Sequence, residues 1–173
     1  MCGQAAPSRA LVLKVVAIAL AGALLFGASA QEARAQADKP TAQQIAAVRA
    51  CVERHQNDVA EAERACLFAL VAEPCQKTPE GQSNLGMADC FRLEQAIWDD
   101  LLNENYKRLA ADSDGGQIAS LRTMQRAWIA DRDATCGFYD ARIHGSMAIP
   151  LAASCLARET ARRALLLRFF GGL

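Results

Sequence analysis

The chain is short of the residues that most enzyme sites are built from. It has two histidines, His55 and His144, far apart in sequence, and none of its seven cysteines forms a CxxC pair. Neither arrangement suits a zinc site, so no metal and no cofactor is implied. No GxSxG turn is present, and His144 beside Ser146 has no obvious third member for a hydrolase triad. No excess of one charge exists either: 19 basic residues face 19 acidic ones. That balance excludes a basic face for nucleic acid and a polybasic tail for lipid. No segment alternates apolar and polar residues as a half-buried strand would, no internal repeat is visible, and the one long apolar run stops at about a dozen residues, against roughly 20 needed to span a bilayer as a helix.

That run, Val15 to Phe26, follows Arg9 and Lys14 and precedes Ala28-Ser29-Ala30. Cations, a short apolar stretch and a small-residue site in that order predict a signal peptide over residues 1–30, cleaved near Ala30 before Gln31. Ala35-Gln36-Ala37 offers a second site slightly downstream. Cys2 lies ahead of the apolar run, so it cannot carry a lipid and leaves with the signal; no stable membrane anchor is expected. The product is predicted to be periplasmic or secreted. It would keep about 143 residues, one domain's worth, and 17 basic against 19 acidic side chains, a net charge of about −2.

Six cysteines then remain: Cys51, Cys66, Cys75, Cys90, Cys136 and Cys155. An even number in an exported chain reads as three disulfides. Sequence does not fix their connectivity, but neighbours flank the expected helix junctions, which favours Cys51–Cys66, Cys75–Cys90 and Cys136–Cys155.

Residues 31–40 lack a periodic apolar pattern and read as a mobile leader. An N-terminal helical extension, 41–74, opens at Thr41, whose hydroxyl and Gln44 form a capping box ahead of Ile45, Val48 and Val52. A second helical stretch is expected over Val59–Val71, and a loop from Pro74 to Ser83. The longest helix should run from Asn84 to Ala111, with Ser83 as its cap and Trp98, Leu102, Tyr106 and Leu109 on one face. Asp112-Ser113-Asp114-Gly115-Gly116 should turn the chain. A helix over 117–142 follows, burying Leu121, Trp128 and Ile129. Gly145 breaks it, and Ser146 is placed to cap a last helix from Met147 to about Phe170, with Pro150 in its first turn. The fold class is all-α: a small disulfide-bonded helical bundle built on a long antiparallel hairpin, with a C-terminal helix folded across it.

Polar residues interrupt the apolar stripes of that hairpin. Gln125 and Arg132 fall on the Leu121, Trp128, Cys136 face, and Asp99 and Asn103 lie beside Leu102 and Tyr106. Because buried polar groups must be satisfied, an Asp99–Arg132 pair with Asn103 and Gln125 nearby is expected, as a clamp on helix register rather than a catalytic site.

Taken together, these residues resemble a known family. Asp99-x-x-Leu102-Asn103-x-x-Tyr106, then Leu121-x-x-x-Gln125-Arg126-Ala127-Trp128-x-x-x-Arg132-Asp133-x-x-Cys136, then Gly145-Ser146, then Cys155 with Thr160, Arg163 and Leu167, are similar to the lysozyme inhibitor LprI-like N-terminal domain. The resemblance covers about residues 75–168 and sets a domain at 75–170; the segment with Cys51 and Cys66 is an extension its pattern does not require. It implies an exported, non-enzymatic envelope protein whose partner is a protein, a lysozyme-type muramidase. The alternative is a structural or assembly protein of the periplasm that binds another envelope protein or a cell-wall component, which the near-neutral charge favours. Two loops are candidate binding regions: the acidic turn with Asp112 and Asp114, and the Arg142, His144, Ser146 loop at the other end of the hairpin.

Overall fold

The computed structural model describes residues 39–173; the expected signal peptide and most of the leader lie outside them. Residues Pro40–Leu173 form one compact unit. Among the described residues there are six α-helices, one 3₁₀ turn and no strand: α1 (Ala42–Arg54), α2 (Val59–Cys66), α3 (Ala72–Gln76), the 3₁₀ turn Glu80–Gln82, α4 (Asn84–Ala111), α5 (Gly115–Arg142) and α6 (Ala148–Phe170).

The helix starts are chemically marked. Thr41 and Gln44 make the expected capping box on α1, Asp58 caps α2 through the Glu61 N–H, and Ser83 caps α4 through the Gly86 N–H. At α5 Asp114 and Gln117 form a second capping box, so Gly115 and Gly116 open the helix rather than sit in the turn. Each cap satisfies backbone donors that a helix leaves free at its N-terminus. Within the segment between Val59 and Ser83 two further boundaries differ from expectation. The stretch after Val59 stops at Cys66, because Phe68 takes a positive φ of 68° and no α-helix continues through it. The helix resumes at Ala72 and runs through Pro74 and Cys75, which the sequence assigns to a loop. Pro74 is in the first turn of α3, where a proline's missing N–H costs nothing.

The central helix is α6. Ala153, Ala157, Ala161 and Ala164 are all buried along it, and Asn105 of α4 reaches the Ala164 carbonyl at 2.9 Å, so this alanine stripe faces α4. Small side chains let two helix axes approach closely, and α4 and α6 pack along most of their length. Helix α5 packs on another side of α6 and barely touches α4. The expected hairpin is therefore held by the C-terminal helix rather than by contact between its own two arms.

The extension closes the core. Val48, Cys51, Val52, Ala62, Cys66 and Val71 share one apolar cluster with Ile97, Trp98, Leu101, Leu165 and Leu167. Ion pairs tie its rim: Arg49 with Glu104 through two bonds of 2.8 and 2.5 Å, Arg162 with Glu63 at 2.6 Å, and Arg168 with Glu53 at 2.6 Å. The disulfides join Cys51 to Cys66, Cys75 to Cys90 and Cys136 to Cys155, with Cα separations of 5.7, 5.6 and 5.4 Å. Only Leu121 and Cys136 of α5 are fully buried. Its outer side has no neighbour, which leaves Ile129 43% exposed instead of buried.

Candidate functional site

The expected Asp99–Arg132 clamp does not form. Asp99 is exposed and accepts a bond from Asn103 of its own helix at 3.1 Å. Arg132 pairs with its neighbour Asp133 at 2.8 Å and lays its guanidinium over the Trp128 ring, 4.9 Å from the centroid. The reason is the packing just described: α4 and α5 diverge on α6, so side chains at similar heights on the two arms do not meet. Of the four residues, only Gln125 meets a buried charge, accepting a bond from Nε of Arg163 on α6.

Arg163 is 7% exposed, lies 5.4 Å from the same Trp128 ring, and leaves Nη2 without a hydrogen-bond partner. Burial pulls its pKa below the ordinary arginine value. Two guanidiniums thus share one indole, and the cation–π contact offsets part of the cost of burying Arg163.

The buried carboxylate of the fold is Glu94, which no motif singled out. It is fully buried, and every donor around it is an N–H: Phe68 N at 2.7 Å and Trp98 Nε1 at 2.9 Å on one oxygen, Ala72 N at 2.9 Å on the other. Burial pushes its pKa up, while the bonds from Trp98, Phe68 and Ala72 hold it back. Glu94 pins the connector between α2 and α3, including the positive-φ residue Phe68, onto α4. Phe68 in turn meets Phe91 edge-on at 5.0 Å, beneath the Arg158 guanidinium. A polar residue on an apolar stripe was the signal to follow: Cys90, Glu94, Ile97, Trp98 and Leu101 lie on one face of α4.

The two candidate loops sit at opposite ends of the bundle. At one end Asp114 is occupied as the cap of α5, and Asp112 is exposed beside a groove of about 760 Å³ lined by Leu109, Leu121, Met124, Phe170 and Leu173. At the other end Arg142, His144 and Ser146 are all exposed. Ser146 does not cap α6 as expected; its hydroxyl accepts a bond from Asn84 Nδ2 at 2.8 Å, and α6 begins after Met147. The loop is fixed on both sides, by Asn84 and by the Cys136–Cys155 bridge, and Gly145 supplies the φ of +97° that its turn requires. Exposed Leu85, Phe138, Met147 and Ile149 lie at the helix ends that meet there.

Among the described residues no cluster of three His, Cys, Asp or Glu side chains could hold a metal, and no helix is long and apolar enough to cross a membrane. What the folded chain offers is fixed surface at the two ends of a stapled bundle. That makes it a small all-α domain held by three disulfides, of a kind built for compartments outside the cytoplasm. More particularly, the chain belongs to the lysozyme inhibitor LprI family, whose model matches residues 75–167, more than half of its 173 residues. The match begins at Cys75 in α3 and ends in the last turns of α6, leaving the Cys51–Cys66 extension outside it. No curated protein and no solved structure matches the chain.

Proposed function

We propose that this is an exported, non-enzymatic protein that binds lysozyme-type muramidases and blocks their attack on peptidoglycan. The family match over residues 75–167 carries the reading. Such muramidases cut with a pair of carboxylates in an open cleft, and an inhibitor must cover that cleft with a surface that does not deform. The Arg142–Ser146 end suits this task. It offers a cation, a histidine and a cluster of exposed apolar side chains, Leu85, Met147 and Ile149, on a loop fixed at both sides. Anchors held rigid before binding lose little entropy when they bind, and a cation favours a cleft lined by carboxylates. The acidic turn is the weaker candidate, because Asp114 is already committed to its helix cap.

The test is the rate of peptidoglycan lysis by muramidases of several types, with and without the purified, oxidised protein. Dose-dependent inhibition, weakened at least tenfold by Arg142→Glu, supports the reading and the face. Inhibition indifferent to Arg142→Glu keeps the function and moves the face. No inhibition of any muramidase removes the function and leaves the fold untouched.

A further inference from the structure

Among the described residues Arg163 is the one buried cation, and no described carboxylate bonds to it. Its Nε donates to Gln125, a neutral amide, and its Nη2 has no hydrogen-bond partner. The acidic side chains nearby in sequence are committed elsewhere: Glu159 of α6 to Arg162, and Asp133 of α5 to Arg132. Arg49 and Arg162 show the contrast. Carboxylate partners raise their pKa values, whereas burial alone acts on Arg163 and lowers it. A second cation makes the imbalance larger. Arg132 lies over the same Trp128 ring, so the two guanidiniums are within about 10 Å of each other, and like charges at that separation repel. The indole offsets part of the burial cost but brings no negative charge.

We infer that a small monovalent anion, a halide ion or a carboxylate group, binds at Nη2 of Arg163 beside Trp128. Arginine cannot shed its proton to escape the cost of burial. A water molecule would satisfy the free N–H group and leave the charge unbalanced, whereas an anion does both. The committed Nε decides the size of the ion. With Nε held by Gln125, the guanidinium cannot present Nε and Nη2 together as the side-on fork that suits phosphate or sulfate, which favours a single small acceptor. Entry is from the α5 side. Trp128 is only half-buried and the Arg132 side chain is 18% exposed, so turning that one side chain away from the indole opens the way to Nη2, and its charge draws the anion in. The site lies between α5 and α6, and it does not depend on what the Arg142–Ser146 loop binds.

Bromide titration read by tryptophan fluorescence tests this on the purified, oxidised protein, with fluoride, the more strongly hydrated halide, holding the ionic strength constant. Bromide quenches an indole that it touches. The other tryptophan, Trp98, is fully buried and bonded to Glu94, so the quenching reports Trp128. The expected result is a phase that saturates, on top of the linear quenching that collisions give. Arg163→Met keeps the apolar stem, removes the charge and weakens the saturable phase about tenfold or more. Arg132→Gln weakens it about threefold through the lost field, and stands in if Arg163→Met fails to fold. Displacement of bromide by chloride but not acetate supports a halide site, and displacement by both supports one that also takes a carboxylate. Linear quenching alone, a saturable phase that neither chloride nor acetate displaces, or one indifferent to both substitutions, each overturns the inference.

Discussion

Replacing Glu94 with alanine tests the idea that one buried carboxylate fastens the extension to the rest of the fold. The substitution strips the acceptor from three N–H groups in dry surroundings: Phe68 N, Ala72 N and Trp98 Nε1. A buried donor left unpaired costs about 1–3 kcal/mol. Against this stands the relief from burying a charge, the effect that raises the pKa of Glu94. All three donors are neutral, so no partner charge is stranded, and three unpaired donors less the relief of removing a buried charge leave an expected net loss of about 2–4 kcal/mol. It is a large share of the 5–15 kcal/mol typical of a whole domain. Glu94→Gln separates shape from charge. One carboxamide oxygen can still serve Phe68 and Trp98, but the amide nitrogen faces the Ala72 N–H, donor against donor, for a loss of about 1–3 kcal/mol. The pH dependence has a definite sign. With the folded-state pKa raised above the ordinary glutamate value of 4.5, the folded protein holds more protons between the two values, so this residue's contribution is full below 4.5 and is lost as pH rises through the folded pKa. Glu94→Gln should remove that slope. Urea unfolding of oxidised protein from pH 4 to 7 measures both effects; a loss under about 1 kcal/mol for Glu94→Ala, or an unchanged slope for Glu94→Gln, would refute the reasoning.

Each disulfide closes a short loop, with sequence separations of 15, 15 and 19, so replacing any one pair of cysteines, Cys75 and Cys90 for example, with serines should cost about 3 kcal/mol; an unchanged thermal midpoint would contradict it. Arg163→Ala should cost about 2–4 kcal/mol, because it empties a buried site and strands Gln125, whereas Arg132→Ala removes a partly exposed pair and a cation–π contact worth about 1 kcal/mol. Equal losses in denaturant unfolding would mean that the two arginines do not differ as described. Gly137→Ala should stabilise the protein by roughly 0.5–1 kcal/mol, since the new methyl enters open space in a helix interior, and a lowered thermal midpoint would count against that.

The helices were legible because their signals are local. Thr41 with Gln44 and Ser83 before a long periodic stripe each mark a start by side-chain chemistry within a few residues. The cysteine pairing was legible for a similar reason: neighbours in sequence flank the junctions that bring them together. The polar clamp was misread because the reading assumed that a short turn makes its two helices pack on one another. Whether they do depends on a third element, and here the alanines of α6 draw α4 away from α5. Glu94 was missed although it carries the same sign as Gln125, a polar group on an apolar face. Its partners are backbone N–H groups of a connector, and no sequence pattern announces that a connector will turn its donors toward a particular side chain. The break at Phe68 has the same origin, since a non-glycine residue adopts positive φ only where surrounding contacts hold it there.

The order of the three bridges bears on how such a chain reaches its folded state. Counted along the sequence, the first cysteine of the described domain joins the second, the third the fourth and the fifth the sixth. A polypeptide that crosses a membrane N-terminus first delivers its thiols in that sequence, and each new pair is complete before the next emerges. An oxidase that simply links successive thiols therefore produces the native set, with no wrong bridge to undo. Chains whose bridges interleave need an isomerase to sort them; this one should mature in a cell that lacks disulfide isomerase activity, provided oxidation keeps pace with translocation.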